Sequence, residues 1–188
     1  DWLIKTGIPT NIRTAYTSWS QAVDRRTVAY VGSQSGLLHA FDAGNYRWGD
    51  NPDTSELEQR GYFKYVTGQP DYGTGAEHWA YAPPSLLNKL KNNLIKNYFP
   101  ENNPPAMVDG SVIVSDVYGK FPYAPENPNT KQWRTAVFFS MGRTHPYVSA
   151  LDVTTPIDSP GAAPLWDGDW TDSDFHGTSA APTVAWVD

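Results

Sequence analysis

Short apolar runs, rich in β-branched and aromatic residues, alternate with polar residues along the whole chain. Runs of this length and composition predict β-strands. Glycine and proline stand between the runs, as they do at the turns of antiparallel sheets. We therefore expect an all-β fold with strands at residues 27–33, 36–43, 78–84, 110–118, 135–142, 148–154, 163–169 and 180–188.

One stretch has the spacing of an amphipathic helix instead. Ser85 follows a double proline and is a suitable N-cap. The pattern predicts a helix that begins there and ends near Asn97, with four leucines on one face, namely Leu86, Leu87, Leu90 and Leu94.

Two parts of the chain carry the same succession of elements. "VAYVGSQSGLLHAFDAG" (28–44) and "AVFFSMGRTHPYVSALDVT" (136–154) each hold an apolar strand, a turn and a second strand that ends in "AFD" or "ALD". A tryptophan-containing strand then follows in both cases. A repeated unit of antiparallel strands is typical of β-propeller blades.

We interpret the fold as a partial β-propeller: about two four-stranded antiparallel blades, the first strand of a third, and one short helix between blades. The complete blade spans 110–169, and the earlier blade has a weakly marked inner strand within 12–23. The run at 180–188 begins the third blade. Residues 1–188 would form a single partial domain, which we expect to be a fragment of a larger protein.

Four residues have predicted structural roles in these blades. Asp42 and Asp152 end equivalent strands, where a carboxylate can accept backbone N–H groups. Trp79 and Trp166 lie on equivalent outer strands, and we expect both side chains to be buried between blades.

A long segment, 44–77, is inserted in the first blade where a short turn would suffice. It carries six aromatic residues: Tyr46, Trp48, Tyr62, Phe63, Tyr65 and Tyr72. Because disordered segments are poor in aromatic residues, two interpretations stay open. The insertion packs on its own propeller, with "GYFKYVTG" as an extra strand or hairpin, or it forms a contact surface for a partner.

Composition narrows the class of protein. The net charge is −6 and no block of Lys or Arg occurs, which argues against a nucleic acid partner. No apolar run approaches the ~18 residues of a membrane span. The chain has no cysteine, which excludes disulfides and thiolate metal sites.

The stretch "FHGTSAAPTVAW" (175–186) looks like the segment that presents the nucleophilic serine of subtilisin-like proteases. In those enzymes the proline follows the serine by four residues, whereas Pro182 follows Ser179 by three. The Asp motif and the separate His motif of these proteases are also absent from the sequence. We interpret Ser179 as a turn residue and predict no catalytic residue in the chain.

An acidic stretch, "DGDWTDSD", is the best candidate for a metal site. Its carboxylates alternate as in the first half of a calcium loop, but the glycine and the final glutamate of that loop are missing. We interpret it as an exposed acidic turn, and calcium binding stays open for Asp167, Asp169, Asp172 and Asp174.

The histidines do not change this interpretation. His39 and His78 could meet across one blade, but two histidines without a third ligand do not make a usual zinc site. We predict no metal ligands and no cofactor.

A series of motifs resembles the C-terminal β-propeller of the PilY family of type IV pilus proteins. The motifs, all in the order of the family, are "VAYVGSQSGLLHAFDAG", "EHWAYAPPSLLNKL", "MVDGSVIVSDVY", "WRTAVFFSMGR", "YVSALDVT" and "TDSDFHGTSAAPTV". The resemblance implies a non-enzymatic protein of the cell surface or pilus tip that acts in pilus assembly, tip capping or adhesion. The implied partners are pilin or minor pilin subunits, a host or surface ligand, and the rest of its own propeller. The calcium loop of the family is not in this chain.

Two alternatives remain. Quinoprotein dehydrogenases have similar blades, but their Thr-Gly is missing here and Trp48 comes two positions early. A carbohydrate-binding propeller, with the insertion as its platform, is the other alternative.

Overall fold

The elements of the fold follow the apolar runs of the sequence closely. The computed structural model describes residues 8–22, 25–52, 61–88, 90–91, 108–121, 129–141 and 147–155, together with the backbone of 163–169. Helix α1 spans Thr10–Ala22, and a 3-10 helix spans Pro84–Leu86. The strands are β1 (Val28–Gly32), β2 (Leu38–Asp42), β3 (Tyr46–Trp48), β4 (Gly61–Phe63), β5 (Tyr65–Val66), β6 (Gln69–Pro70), β7 (Glu77–Tyr81), β8 (Val112–Gly119), β9 (Gln132–Ser140), β10 (Tyr147–Asp152) and β11 (Ala163–Asp169).

The second half of the chain forms one four-stranded antiparallel sheet in the order β8-β9-β10-β11. This confirms the prediction that 110–169 form a single sheet. The central strand β9 is buried at almost every position, including the apolar run at 136–139. The strand predicted at 180–188 lies outside the described residues.

The first half forms a three-stranded antiparallel sheet in the order β1-β2-β7. The predicted hairpin of the first two strands is confirmed, and so is the third strand. Buried and partly exposed positions alternate along β2, as expected for a strand with one face on the core. The described sheets are antiparallel throughout, and they do not close into a ring of blades.

The inner strand predicted within 12–23 is wrong, because this segment is helix α1. The carbonyl of Pro9 accepts the N–H groups of Ile12 and Arg13 in the first turn. Tyr16 and Trp19 lie on one face of the helix, and their rings pack on Trp133 of β9 with centroids 4.7 and 6.3 Å away. Few apolar residues of this segment follow helical spacing, and a short helix is only marginally stable without tertiary packing. Contact with β9 therefore decides that the segment is helical.

The two sheets meet in a shared core. Leu38 of β2 packs in one buried cluster with Val137 and Phe139 of β9 and Leu151 of β10. The chain crosses between the sheets at Val108, whose N–H donates to the carbonyl of Ser33 (3.1 Å). The two sheets therefore share one hydrophobic core, as neighbouring blades would.

The helix predicted after the double proline begins two residues earlier than expected, because its N-cap position is Pro83 and not Ser85. Its first turn is the 3-10 helix, and Pro83 makes no side-chain cap bond. The prediction of Ser85 as the N-cap is therefore wrong, since a proline at the helix start already fixes φ for the first turn. The described helical residues continue to Lys91, and the predicted end near Asn97 lies beyond them.

The two predicted inter-sheet tryptophans have different outcomes. Trp79 is partly buried, packs against the core cluster, and contacts the ring of Tyr30 at 5.7 Å. The prediction of its burial is thus confirmed only in part. The side chain of Trp166 lies outside the described part of the structure, although its backbone pairs with Ala150.

We expect a methyl group at Gly32 to destabilise the contact between the sheets. A Cβ atom there would lie 2.4 Å from the carbonyl oxygen of Val108. Gly32→Ala should lower the free energy of unfolding, measured by urea denaturation, by about 1–3 kcal/mol. Gly119→Ala is the matched control, because its Cβ would meet its nearest atoms at ordinary contact distance (3.5 Å). Equal stability of the two variants would contradict the prediction.

Candidate functional site: an anchored aromatic insertion

The insertion at 44–77 is built of two small antiparallel units. Strand β3 pairs with β4, and β5 pairs with β6 through a tight turn at Thr67 and Gly68, both with positive φ. Such a turn matches the twist of the strands it joins. The predicted extra strand or hairpin in "GYFKYVTG" is confirmed. Residues 53–60 lie outside the described residues.

Two glycines bring the ends of the insertion together. Gly44 has φ +88°, and a Cβ there would lie 2.3 Å from the carbonyl oxygen of Asp71. The two ends approach one another at Gly44 and Gly73 so closely that no side chain fits between them. The N–H of Asn45 donates to the carbonyl of Asp71 across this gap (3.0 Å).

Arg26 joins the insertion to the sheet below it. Its Nε and Nη2 donate to the carboxylate of Asp42 at 2.5 and 2.9 Å. Its Nη1 and Nη2 also donate to Asp71 of the insertion at 2.7 and 3.1 Å. A planar guanidinium can bind two carboxylates in this way because its donors form a rigid fork.

Asp42 is the buried centre of this cluster. Besides Arg26, it accepts the N–H groups of Gly44 and Thr74 and the hydroxyl of Thr74. The Arg26 hydrogen bonds hold the pKa of Asp42 well below its usual range, and burial opposes this effect. The pKa of Asp71 is lowered as well, chiefly by Arg26. Both groups therefore stay ionised at neutral pH.

The predicted role of the two strand-ending aspartates is confirmed. Asp42 accepts the N–H of Gly44 (3.2 Å), and Asp152 accepts the N–H of Thr154 (2.9 Å). In both sheets an arginine lies beside the aspartate, with Arg134 Nε 3.8 Å from the Asp152 carboxylate.

Arg25, the neighbour of Arg26, reaches the other sheet. Its Nη1 donates to the hydroxyl of Thr135 and lies 3.4 Å from the carboxylate of Asp116 on β8. The hydroxyl of Tyr16 donates to the same carboxylate at 2.9 Å. Burial and the Asp116 charge raise the pKa of Tyr16 to about 12. Two consecutive arginines thus connect helix α1, both sheets and the insertion.

Four aromatic side chains of the insertion form a continuous row. Tyr46 contacts Trp48 (5.6 Å between centroids) and Phe63 (5.4 Å), and Phe63 contacts Tyr72 (4.9 Å). Edge-to-face contacts of this kind stabilise aromatic clusters. Both ends of this aromatic row face solvent, since Trp48 is 83% and Tyr72 is 67% exposed.

A cleft of about 840 Å³ opens beside the aromatic row. Its walls come from helix α1, β1, β3 and three residues of the other sheet, namely Val114 of β8, Thr135 of β9 and Val153 just after β10. The lining residues in the described structure include four cations and no carboxylate; they are Ser20, Gln21, Arg25, Arg26, Thr27, Val28, Tyr30, Tyr46, Arg47, Trp48, Lys64, Val114, Thr135 and Val153.

The structure does not bring the two strand histidines together. His39 lies opposite Ala80 and its Nδ1 is 3.5 Å from Glu77, whereas His78 Nε2 is 3.8 Å from Asp42. Within the described ranges, no group of three histidine and acidic residues could hold a metal ion.

The other residues weighed for chemistry lie outside the described structure, so the interpretations of them stay predictions. Asp172, Asp174 and Ser179 are not described at all. For Asp167 and Asp169 the backbone in β11 is described and the side chains are not.

Sequence reasoning missed the residues that organise the site. Arg25, Arg26 and Asp71 were not singled out, because each is an ordinary surface residue type. One signal was present: the dipeptide Arg-Thr occurs in both repeats, at residues 26–27 just before β1 and at residues 134–135 inside β9. An arginine at the same place in both repeats, with an aspartate at the end of the next strand, indicates a paired contact.

Comparisons with known proteins agree with the predicted resemblance. The chain is 28% identical over 176 residues to a type IV pilus biogenesis factor PilY1 homolog of Xylella fastidiosa, covering 91% of this chain and 10% of that protein. It is 28% identical over 172 residues to the type IV pilus biogenesis factor PilY1 of Pseudomonas aeruginosa, covering 90% and 11%. Another PilY1 homolog of Xylella fastidiosa is 26% identical over 187 residues.

The chain spans about a tenth of the length of these curated relatives. No family model and no solved structure matches it. In the described part of the chain, no helix has both the length and the apolar character to cross a membrane.

Replacing Arg26 should test its role in anchoring the insertion. Arg26→Met keeps most of the side-chain volume but leaves the buried Asp42 carboxylate without its cation, which we expect to cost roughly 3 kcal/mol. Urea denaturation at neutral pH measures the loss. Arg26→Lys is the control, and it should recover only part of the stability because a lysine cannot form the four bonds. If Arg26→Lys kept the full stability of the native protein, the positive charge alone would explain the anchoring and the geometry of the four bonds would not contribute.

The contacts of Arg26 with the two carboxylates also predict how the stability loss in Arg26→Met depends on pH. The folded-state pKa values of Asp42 and Asp71 are lowered, so their contribution to stability is complete above the unfolded pKa of about 4. It is lost as the pH falls through the folded values. The stability difference between the native protein and Arg26→Met should therefore shrink below about pH 4. A difference that stays constant in this range would contradict the assignment.

Proposed function

We propose that this chain, whose similarity to PilY-family pilus biogenesis factors extends over nine tenths of its length, is a non-enzymatic part of a PilY-like protein at the cell surface or pilus tip. It would act in pilus assembly, tip capping or adhesion. The relatives are named type IV pilus biogenesis factors, and this similarity supports the assignment. Because the chain spans about a tenth of their length, it would supply one module of the whole protein.

In this proposal the two sheets are neighbouring blades of a β-propeller. Three observations support it: strands adjacent in sequence are adjacent in the second sheet, the sheets share one core, and the aspartate contact recurs in both. A propeller offers a rigid frame from which loops project.

The observation that carries the functional proposal is the anchored insertion with exposed aromatic ends. Arg26 and the glycine contact fix its base, and Trp48 and Tyr72 stand in solvent at either end of the aromatic row. An insertion that served only to cover its own sheet would bury these rings. Exposed tryptophan and tyrosine on a rigid support are enriched where proteins bind partners. The partner would be a pilin or minor pilin subunit, or a surface ligand.

The ionisation of Asp42 and Asp71 at neutral pH supports a binding role over a catalytic one. The two carboxylates with lowered pKa values are held by Arg26 and stay ionised at neutral pH. A general acid or base needs a pKa near the working pH, which this arrangement opposes. The proposal therefore assigns no catalytic residue.

Substitution of the exposed rings tests the proposal. In cells that lack the native protein, the full-length protein with Trp48→Ala and Tyr72→Ala should be produced and folded normally. Surface pili or adhesion should fall severalfold, because truncating one central aromatic residue at an interface costs about 2 kcal/mol. Leu87→Ala, an exposed apolar residue on the helix after β7, is the matched control. Normal piliation and adhesion with both rings removed would refute the proposed contact.

A further inference from the structure

Within the described structure, the cleft beside the aromatic row offers no unpaired charge to a ligand. Arg25 and Arg26 of its lining are bonded to the carboxylates described above. Arg47 donates to the carbonyls of Arg25 and Tyr46, and Lys64 has an interaction of its own. Transfer of an ion out of water is costly when no free partner charge awaits it. The cleft therefore favours an uncharged ligand.

Neutral hydrogen-bonding groups remain available along one wall of the cleft. Gln21, near the end of helix α1, is exposed, and its amide forms no hydrogen bond in the described structure. The Ser20 hydroxyl donates to the carbonyl of Thr17, which leaves its oxygen able to accept. Thr27 Oγ1 accepts the N–H of Tyr46, so its own O–H can still donate. These side chains offer the donors and acceptors that hydroxyl groups of a ligand pair with.

Trp48 adds a flat apolar surface to the same cleft. Its side chain lines the cleft and is 83% exposed. Its described ring contact is with Tyr46, at an interplanar angle of 82°, and this edge-to-face packing covers at most one face of the indole. The other face is open to a ligand. The electron-rich face of an indole attracts polarised C–H groups as well as apolar surface.

Two contacts hold the indole in place. Arg47, its neighbour on β3, donates from Nη1 to the carbonyl of Arg25 at 2.8 Å. Arg26 fixes the base of the insertion through Asp71. A ring that is held in this way loses little conformational entropy when a ligand stacks on it. This matters for a ligand whose single contacts are weak.

An oligosaccharide has both properties that this cleft selects. A pyranose ring has an apolar face of C–H groups that can stack on an indole, and its hydroxyl groups both donate and accept hydrogen bonds. The cleft volume of about 840 Å³ lies in the range of small-molecule sites. A nucleic acid also stacks on aromatic rings, but its phosphates would find no free cation here. The core of a protein interface is depleted of charged residues, whereas four cations line this cleft.

We propose that this cleft binds a neutral oligosaccharide, with Trp48 stacked on one sugar ring and with Gln21 and Ser20 bonded to sugar hydroxyl groups. This rests on the proposed function and names the ligand class for it: the surface ligand is a glycan. It also separates two rings that the proposed function treats alike. Trp48 lines the cleft, whereas Tyr72, at the other end of the aromatic row, does not.

Glycan binding by the 188-residue chain tests the proposal. Maltohexaose, cellohexaose and N-acetylchitohexaose are titrated into the protein by isothermal calorimetry, with hexagalacturonate as the acidic counterpart. At least one neutral hexasaccharide should bind with a Kd below about 1 mM. Its affinity should stay within about twofold when the salt is raised to about 0.5 M, because no ion pair contributes.

Three variants locate the site. Trp48→Ala should weaken binding of the neutral hexasaccharide about tenfold, because it removes the stacking surface. Gln21→Met keeps the side-chain volume but removes the amide, and the loss of one hydrogen bond should weaken binding about fivefold. Tyr72→Ala is the matched control: it removes an exposed ring of the same row outside the cleft and should leave the affinity within about twofold. Circular dichroism checks that all three variants are folded.

Three outcomes would overturn the proposal. The first is that the folded native chain binds none of the three neutral hexasaccharides at about 5 mM. The second is salt-sensitive binding of hexagalacturonate alone, which would assign the cleft to an acidic ligand. The third is an equal loss of affinity in Trp48→Ala and Tyr72→Ala, which would show that the aromatic row, and not the cleft, binds the sugar.

The cell experiment on the exposed rings separates this proposal from the proposed function. If Trp48→Ala lowers adhesion of the cells although the chain binds no neutral glycan, the ring contacts a protein. The proposed function then stands and the glycan site is refuted. If the chain binds the glycan through Trp48 but piliation and adhesion are normal without the rings, the glycan site stands and the proposed function fails.

Discussion

The contacts of two consecutive arginines connect the parts of this molecule. Arg26 binds Asp42 of one sheet and Asp71 of the insertion, while Arg25 binds Asp116 and Thr135 of the other sheet. Neighbouring residues of an extended chain direct their side chains to opposite sides, so one dipeptide can serve both sheets. Each guanidinium is partly exposed and its partners are more buried, which makes these pairs stronger than ordinary surface ion pairs.

This arrangement explains how an insertion far longer than a turn keeps one position. The glycine contact closes its base, and the Arg26 fork fixes it against the sheet. Two members of its aromatic row, Tyr46 and Trp48, line the cleft. A preorganised surface loses little conformational entropy when a partner binds, which is the physical advantage of a rigid support for exposed rings.

The two repeats share specific hydrogen bonds as well as the succession of their strands. The N–H of Ala43 donates to Thr27 in one sheet, and the N–H of Val153 donates to Thr135 in the other. The aspartate one residue earlier accepts an N–H two residues further along in both. Among the described residues, a fourth strand is present only in the second sheet.

The sequence by itself determined the seven strands predicted between residues 27 and 169, the order of the second sheet and the roles of Asp42 and Asp152, because apolar runs and strand-ending carboxylates act over a few residues. It also carried the family resemblance through motifs that span most of the chain. Helix α1 was missed, since Tyr16 and Trp19 settle as a helix only when Trp133, more than a hundred residues away, offers a surface. The partners of Arg25 and Arg26, the aromatic row and the cleft likewise depend on residues distant in sequence. Only the tertiary structure could decide them, because a charge or a ring in a loop gives no local sign of the group that it will meet.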